Sequence, residues 1–308
     1  MPELPEVETV RAGLEPLVSG ASIDAVTIYR ASCVRRHGGG APEFGLALAD
    51  AGIGEVVRRG KYLWFLLEEG PGRPAQALSA HLGMSGQFRS FEGSAPTPHA
   101  HCRARFSLTT PRGPLTLDFL DQRTFGYLHV ESLVPTADGA PGGQGSAVTA
   151  VPRSVAHIAR DALDPAADRA GAVNAMRKGM RPIKTVLLDQ TVVSGIGNIY
   201  ADDVLWLARV HPLRTASSLT SSEATRVLTS VRGVMERALA QGGTSFDALY
   251  VNVNGESGYF SRDLTAYGRA GEPCFRCGDL LMRDRVAGRS THWCPRCQTG
   301  PQPGTDRD

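Results

Sequence analysis

Met1-Pro2-Glu3-Leu4-Pro5-Glu6-Val7-Glu8-Thr9-Val10 opens the chain. A small second residue favours loss of the initiator methionine, and that loss leaves Pro2 as a free secondary amine. An α-amino group titrates near about 7.7–8.0, against about 10.4 for a lysine side chain. A useful fraction is therefore unprotonated near neutral pH and can attack an electrophilic carbon. Glu3 tethers a carboxyl group within reach of whatever the amine attacks. Pro5 suits the first turn of a helix, and Glu6 and Glu8 suit its positive end. The spacing predicts a helix from about Glu6 to Val18 that holds amine and acid in place.

Beyond this helix the chain reads as short strands. Ile23–Ile28 alternates, and Gly54–Leu67 carries the β-prone run Tyr62-Leu63-Trp64-Phe65. Further strands are expected over 75–82, 86–91, 100–108 and 115–119. With the leading helix, they predict an α+β multidomain protein that begins with a β-sandwich. From Val134 to Arg153 the chain is rich in Gly, Pro and Ala, which predicts a flexible linker. The period then changes, and helices are expected over 172–178, 183–190, 198–210 and 221–241. The expected domains are 1–135 (sandwich), 136–154 (linker), 155–262 (helical), 263–300 (cysteine-rich) and 301–308 (tail).

A length of 308 residues, 42% hydrophobic and 21% charged, is that of a globular protein with about two domains. The longest apolar run is Tyr62–Leu67, so no membrane association is expected. The acidic start is not a signal peptide, and a cytoplasmic monomer is the expectation. Net charge is only +2, but Leu264–Thr299 holds six arginines against three acids. A basic cluster on a neutral body fits a local phosphate contact.

Of six cysteines, Cys33 and Cys102 read as buried thiols. The others form Cys274-Phe275-Arg276-Cys277 and Cys294-Pro295-Arg296-Cys297, with 16 residues between the pairs. Two CxxC knuckles so spaced predict one structural Zn2+ held by four thiolates, a redox or iron–sulfur role being the alternative. With four thiolates committed, the ion has no open position for catalysis and serves to pin a small hairpin. The hairpin turn is expected near Arg289-Ser290-Thr291.

Together these stretches resemble the formamidopyrimidine-DNA glycosylase family, whose members excise oxidised purines. MPELPEVETVR matches that family's amino terminus, and Leu4 stands where the endonuclease VIII branch usually has Gly. His81-Leu82-Gly83-Met84-Ser85-Gly86 matches the segment with the void-filling methionine, Met84. Asp121-Gln122-Arg123-Thr124-Phe125-Gly126 matches the DPRRFG loop, in which Arg123 faces the widowed cytosine and Phe125 wedges between base pairs. Gln122, Thr124 and Ala100 depart from the family pattern, and Thr124 removes one phosphate contact. LLDQ…SGIGNIYADD matches the helix–two-turn–helix motif. The resemblance makes Lys61 the active-site lysine beside the lesion, and His99, Lys184 and Asn198 DNA contacts. Arg289 becomes the finger arginine, and Asn252–Tyr259 the loop over the everted base.

The resemblance implies a bifunctional DNA glycosylase and abasic-site lyase of base excision repair, associated with the nucleoid. Its partner is double-stranded DNA containing oxidised bases such as 8-oxoguanine or formamidopyrimidines. Pro2 attacks C1′, Glu3 protonates the sugar ring oxygen, and β,δ-elimination from the Schiff base cuts the strand. Two rivals stay open: an endonuclease VIII-like enzyme for oxidised pyrimidines, and a zinc DNA-binding protein without catalysis.

Overall fold

In the computed structural model, helix α1 (Leu4–Val18) begins two residues before the sequence expectation, with Pro5 in its first turn. Leu4, Val7, Val10, Leu14 and Val18 recur at helical spacing and are all buried, so one stripe of the helix faces a core. The structure describes residues 2–70, 75–243 and 263–300. The chain divides into two compact units, Met1–His157 with Gly242–Tyr259, and Ile158–Gln241 with Phe260–Asp308.

The first unit carries nine antiparallel strands: β1 (Ala21–Ile28), β2 (Ala51–Arg59), β3 (Tyr62–Leu67), β4 (Gln76–His81), β5 (Gly86–Glu92), β6 (Cys102–Thr110), β7 (Gly113–Asp121), β8 (Tyr127–Pro135) and β9 (Ala150–Pro152). They pair in the order β5-β7-β6-β1-β2-β3-β4-β8-β9. Register shifts in β1 (Ile23/Ala25) and β2 (Ile53/Val56) fall at the centre of that order. Bulges there let the sheet fold over on itself, which makes the expected sandwich. Phe65 of β3 meets Phe88 of β5 edge-on at 5.8 Å across the two layers. Helix α2 (Gly40–Leu48), which holds two glycines and a proline, was not among the expected elements. Its Phe44 and Leu48, four apart, are buried and explain why it forms.

The stretch expected as a flexible linker is instead folded onto the sandwich. Its end forms β9, which pairs with β8 through Leu133–Pro152, Val134–Val151 and Pro135–Ala150. Gln144 exchanges backbone hydrogen bonds with Arg58 (3.0 and 2.9 Å), and the Arg59 Nε donates to the Gly142 carbonyl at 2.8 Å. The glycines that suggested looseness serve close approach. A Cβ at Gly142 would lie 2.2 Å from the Ala150 oxygen, and one at Gly143 2.3 Å from the Arg58 oxygen. The strap is apolar-poor because its backbone, not its side chains, makes the contact.

The second unit packs α3 (Arg169–Met176), α4 (Ile183–Leu187), α5 (Asn198–Ala208) and α6 (Ser221–Ala240) around Met176, Leu187, Tyr200, Leu205 and Met235. Thr220 caps α6 by accepting from Glu223 N at 3.2 Å while Glu223 returns to Thr220 N at 2.8 Å. Strands β10 (Met282–Val286) and β11 (Arg289–Trp293) form a hairpin against α5. Its turn is Ala287-Gly288, both at positive φ, so Arg289 begins a strand and does not lie in the turn as expected. The stretch 252–259 and the tail 301–308 lie outside the described residues.

Gly143→Ala forces backbone apart at the strap and is expected to destabilise the protein by about 1–3 kcal/mol. A thermal melt checks this; an unchanged Tm would mean that the strap is not held to β2.

Candidate functional site

Glu3 is the N-cap of α1 and closes a capping box: its N–H donates to Glu6 Oε2 at 2.8 Å, while its own carboxylate accepts from the Glu6 N–H. Pro2, Glu3 and Glu6 are all buried. The box fixes the chain direction through Pro2 and places the Glu3 carboxylate at the positive end of the helix. Glu6 thus orients the terminus.

Lys61 follows Gly60 in the tight β2–β3 connection, where Gly60 has φ +56°. Arg58 ties that turn to α1: its Nε donates to Glu8 Oε2 at 2.7 Å and its Nη1 to the Gly60 oxygen at 3.1 Å. The Arg11 Nη1 adds a bond to the Val56 oxygen at 3.3 Å. The amino terminus and the lysine turn therefore share one buried scaffold, and Lys61 itself is 8% exposed.

Two loops of the same unit carry Met84, Arg123 and Phe125, and the structure joins them. The Asp121 carboxylate accepts from Ser85 Oγ at 2.6 Å and from Gly126 N at 2.7 Å, and Arg123 N donates to Ser85 Oγ at 3.0 Å. Gly83 approaches so closely that a Cβ would lie 2.5 Å from Gly126 N. Met84 (39%) and Phe125 (51%) are exposed, and the Arg123 guanidinium lies 5.4 Å from the Phe125 ring. Thr124 takes φ +58°, a left-handed conformation that a β-branched residue rarely adopts. His81 Nδ1 accepts from Gly83 N at 3.0 Å, which requires the neutral ring. Burial, with Arg36, Lys61 and Arg35 nearby, pushes the His81 pKa down to about 4. His99 is exposed, and its Nδ1 accepts from His101 N at 3.1 Å.

In the second unit the expected roles divide. Lys184 is 1% exposed and is engaged by Asp202 Oδ1 (2.7 Å), Ser290 O (2.8 Å) and Thr291 Oγ1 (2.9 Å). The expectation of a phosphate contact at Lys184 is corrected: its ammonium is a buried tie between α4, α5 and β11. Asn198 is the first residue of α5 and not its cap, which is Gly197. Its Nδ2 donates to Ser290 O at 3.0 Å. Asp202 Oδ2 accepts from His292 N at 2.8 Å and meets His292 Nδ1 at 2.9 Å. Asp203 accepts from the N–H groups of 265, 266 and 267; burial raises its pKa to about 6 against those bonds. Arg289 is exposed at the start of β11, directly beside the residues so held.

The sulfurs of Cys274, Cys277, Cys294 and Cys297 lie within 4.8 Å of one another. Tetrahedral zinc, with Zn–S near 2.3 Å, asks for sulfurs about 3.8 Å apart. Cys277–Cys294 at 3.4 Å and Cys274–Cys297 at 4.0 Å fit that cage. Trp206 Nε1 donates to Cys274 Sγ at 3.4 Å and Cys297 N to Cys294 Sγ at 3.3 Å, as second-layer donors to thiolates do.

Residues 1–128 match the formamidopyrimidine-DNA glycosylase N-terminal domain, 158–248 the H2TH domain of the same enzymes, and 271–300 the zinc finger found in FPG and IleRS. The formamidopyrimidine-DNA glycosylase of Leifsonia xyli is 48% identical over 97% of this chain and 99% of its own. That of Thermobifida fusca is 48% identical over 98% and 99%. The chain belongs to the formamidopyrimidine-DNA glycosylase family. Solved members agree in fold. The Thermus thermophilus MutM (FPG) protein is 37% identical with a TM-score of 0.77, and the Lactococcus lactis Fpg bound to DNA with an abasic site is 30% identical with a TM-score of 0.77. Each covers 97% of this chain and 100% of its own. Another Lactococcus lactis structure, 30% identical over the same shares, with a TM-score of 0.76, holds DNA containing an oxidised pyrimidine.

As in its family, the protein carries one structural zinc, held by the four cysteines. Sequence reading found the ligands but missed Asp202, Asp203 and Arg58, which hold the site-bearing segments. The adjacent pair Asp202-Asp203 inside an otherwise apolar helix was the available signal. Metal analysis is expected to give one zinc per chain, and chelation to unfold the hairpin and abolish DNA binding. Tight DNA binding by a zinc-free protein would contradict this.

Proposed function

We propose that this protein is a bifunctional DNA glycosylase and abasic-site lyase of base excision repair acting on double-stranded DNA with oxidised purines. The carrying observation is the capping box that buries Pro2 and Glu3 at the head of α1. It holds an amine and an acid next to each other on a rigid element, the arrangement that covalent catalysis needs.

Once Met1 is removed, the unprotonated Pro2 nitrogen attacks C1′ of the damaged nucleotide. Glu3 gives a proton to the sugar ring oxygen as the C1′–oxygen bond breaks and the ring opens. The attached nitrogen sheds its own proton, and the base leaves with its bonding electrons and takes up a proton. The nitrogen lone pair then forms the iminium. That cation acidifies the C2′ proton, whose loss expels the 3′-phosphate; a second elimination expels the 5′-phosphate. Hydrolysis frees Pro2. General acid help of this kind is worth about 10²–10⁴-fold.

Lys61 and Arg289 neutralise phosphates flanking the flipped nucleotide, Lys61 as a compact ammonium and Arg289 as a fork. Asn198 keeps the second hydrogen of its amide for a neighbouring phosphate, and His99 adds a contact in the first unit. Met84, Arg123 and Phe125 fill the space that an extruded base leaves, which offsets a few kcal/mol of lost stacking. Met84 and Phe125 stand exposed on loops that are tied to each other, which leaves both side chains available for this use. We further place the protein in the cytoplasm, as a monomer working on the nucleoid; no helix among the described residues is long and apolar enough to cross a membrane. Oxidised pyrimidines are a second substrate class, suggested by the Lactococcus lactis complex.

Borohydride added during turnover of an 8-oxoguanine·cytosine duplex is expected to trap a protein–DNA adduct through Pro2. An active enzyme that leaves no adduct would remove the lyase mechanism. Glu3→Gln is expected to bind the same duplex yet lose at least about 10²-fold in base excision, the low end of general-acid assistance. Unchanged excision would take Glu3 out of the chemistry, and parallel assays with thymine glycol rank the two substrate classes.

A further inference from the structure

Arg35 lies just after the 3₁₀ turn Ala31–Val34 and takes no part in the chemistry above. Its Nη1 donates to Gly126 O at 2.7 Å and to Ser32 O at 2.8 Å, and its Nη2 donates to Phe125 O at 2.8 Å. One planar guanidinium thus grips two successive carbonyls of the wedge loop while anchored to its own turn. The fork holds their direction as well as their distance, which a single ammonium cannot do.

The loop needs such a hold. Thr124 sits in a left-handed conformation, and a strained backbone persists only where its surroundings over-determine it. Phe125 is half exposed, so packing does little to fix it. From below, the Asp121 carboxylate fixes Gly126 N, and Arg35 fixes the carbonyls on either side of that same N–H. Its neighbour Arg36 donates to Tyr127 Oη at 2.8 Å and lies 4.0 Å from the Tyr127 ring centroid. Tyr127 stacks on His81 at 5.0 Å, and His81 holds Gly83 beside Met84. The turn at 35–36 therefore supports both void-filling loops.

We propose that Arg35 is a positioning residue for base eversion, holding Phe125 in the orientation that lets it enter the base stack. The inference rests on the proposed function for its consequence, but the hold itself is a property of the first unit alone. Bonds to carbonyls cannot be made by methionine, which keeps the length and apolar stem of the side chain.

The test is Arg35→Met, read in two ways. Amide hydrogen exchange across 121–127 is expected to rise. Single-turnover excision on an 8-oxoguanine·cytosine duplex is expected to fall by about tenfold or more, while borohydride trapping on a single-stranded abasic oligonucleotide, which has no stack to enter, stays at the wild-type level. Combined with Phe125→Ala, the change is expected to cost nothing further, because Arg35 acts through that ring. Arg35→Lys, which can reach one carbonyl, should restore part of the rate. Unchanged exchange, a parallel fall in excision and trapping, or an additive double variant would each overturn the proposal. Wild-type protein that excises nothing would overturn the proposed function instead, and the exchange measurement would then decide on the hold alone.

Discussion

Lys184 and Asp202 form an ion pair with almost no exposed surface, and the second unit is arranged around it. Removing one partner of such a pair costs about 3–5 kcal/mol, because the other charge is stranded away from water. The pair is satisfied only when β11 lies in place, since Ser290, Thr291 and His292 supply the remaining bonds. A hairpin of this size has little core of its own: Trp206, Ala266, Leu281 and two cysteines make up its apolar cluster. Charge burial and a metal together do what apolar area cannot do at that scale. The first unit repeats the device with Glu8 and Arg58, which join α1 to the turn bearing Lys61. In both units a side chain proposed to contact phosphate stands next to an ion pair whose cation is buried, Lys184 in one and Arg58 in the other.

Most of the architecture could be read from the chain. The apolar stripe of α1, the alternating strands, the helical period after 170 and the paired CxxC knuckles each have a local physical cause, and each is present. What could not be read depends on distant partners. Lys184 looks like a phosphate ligand until Asp202 is known to be beside it, 18 residues on in sequence and 2.7 Å away in space. The Gly-rich strap looks loose because glycine is scored by freedom, whereas here it is selected by the carbonyls of Arg58 and Ala150 that crowd it. Helix α2 hides for the same reason: its propensity is poor, and only the burial of Phe44 and Leu48 secures it.

The loops around Met84 and Phe125 violate several ordinary preferences at once. They expose apolar side chains and put a threonine at positive φ, and they crowd Gly83 against Gly126. Local rules fail where a surface is built for something that is not yet there. Strain at Thr124 costs on the order of 1–3 kcal/mol, and the carboxylate of Asp121 is positioned to offset it through two short hydrogen bonds. Replacing the family's usual arginine by Thr124 removes a charge from this surface, and the neighbouring Arg123 keeps one there, beside the Phe125 ring.

The chemistry proposed for Pro2 has a practical corollary. On that proposal a chain that keeps Met1 is an inert precursor, and trimming by an aminopeptidase becomes the last step in making a working enzyme. Any purification handle or fluorescent fusion has to be attached at the far end, and a host that acetylates or fails to trim nascent chains would yield folded protein that does nothing.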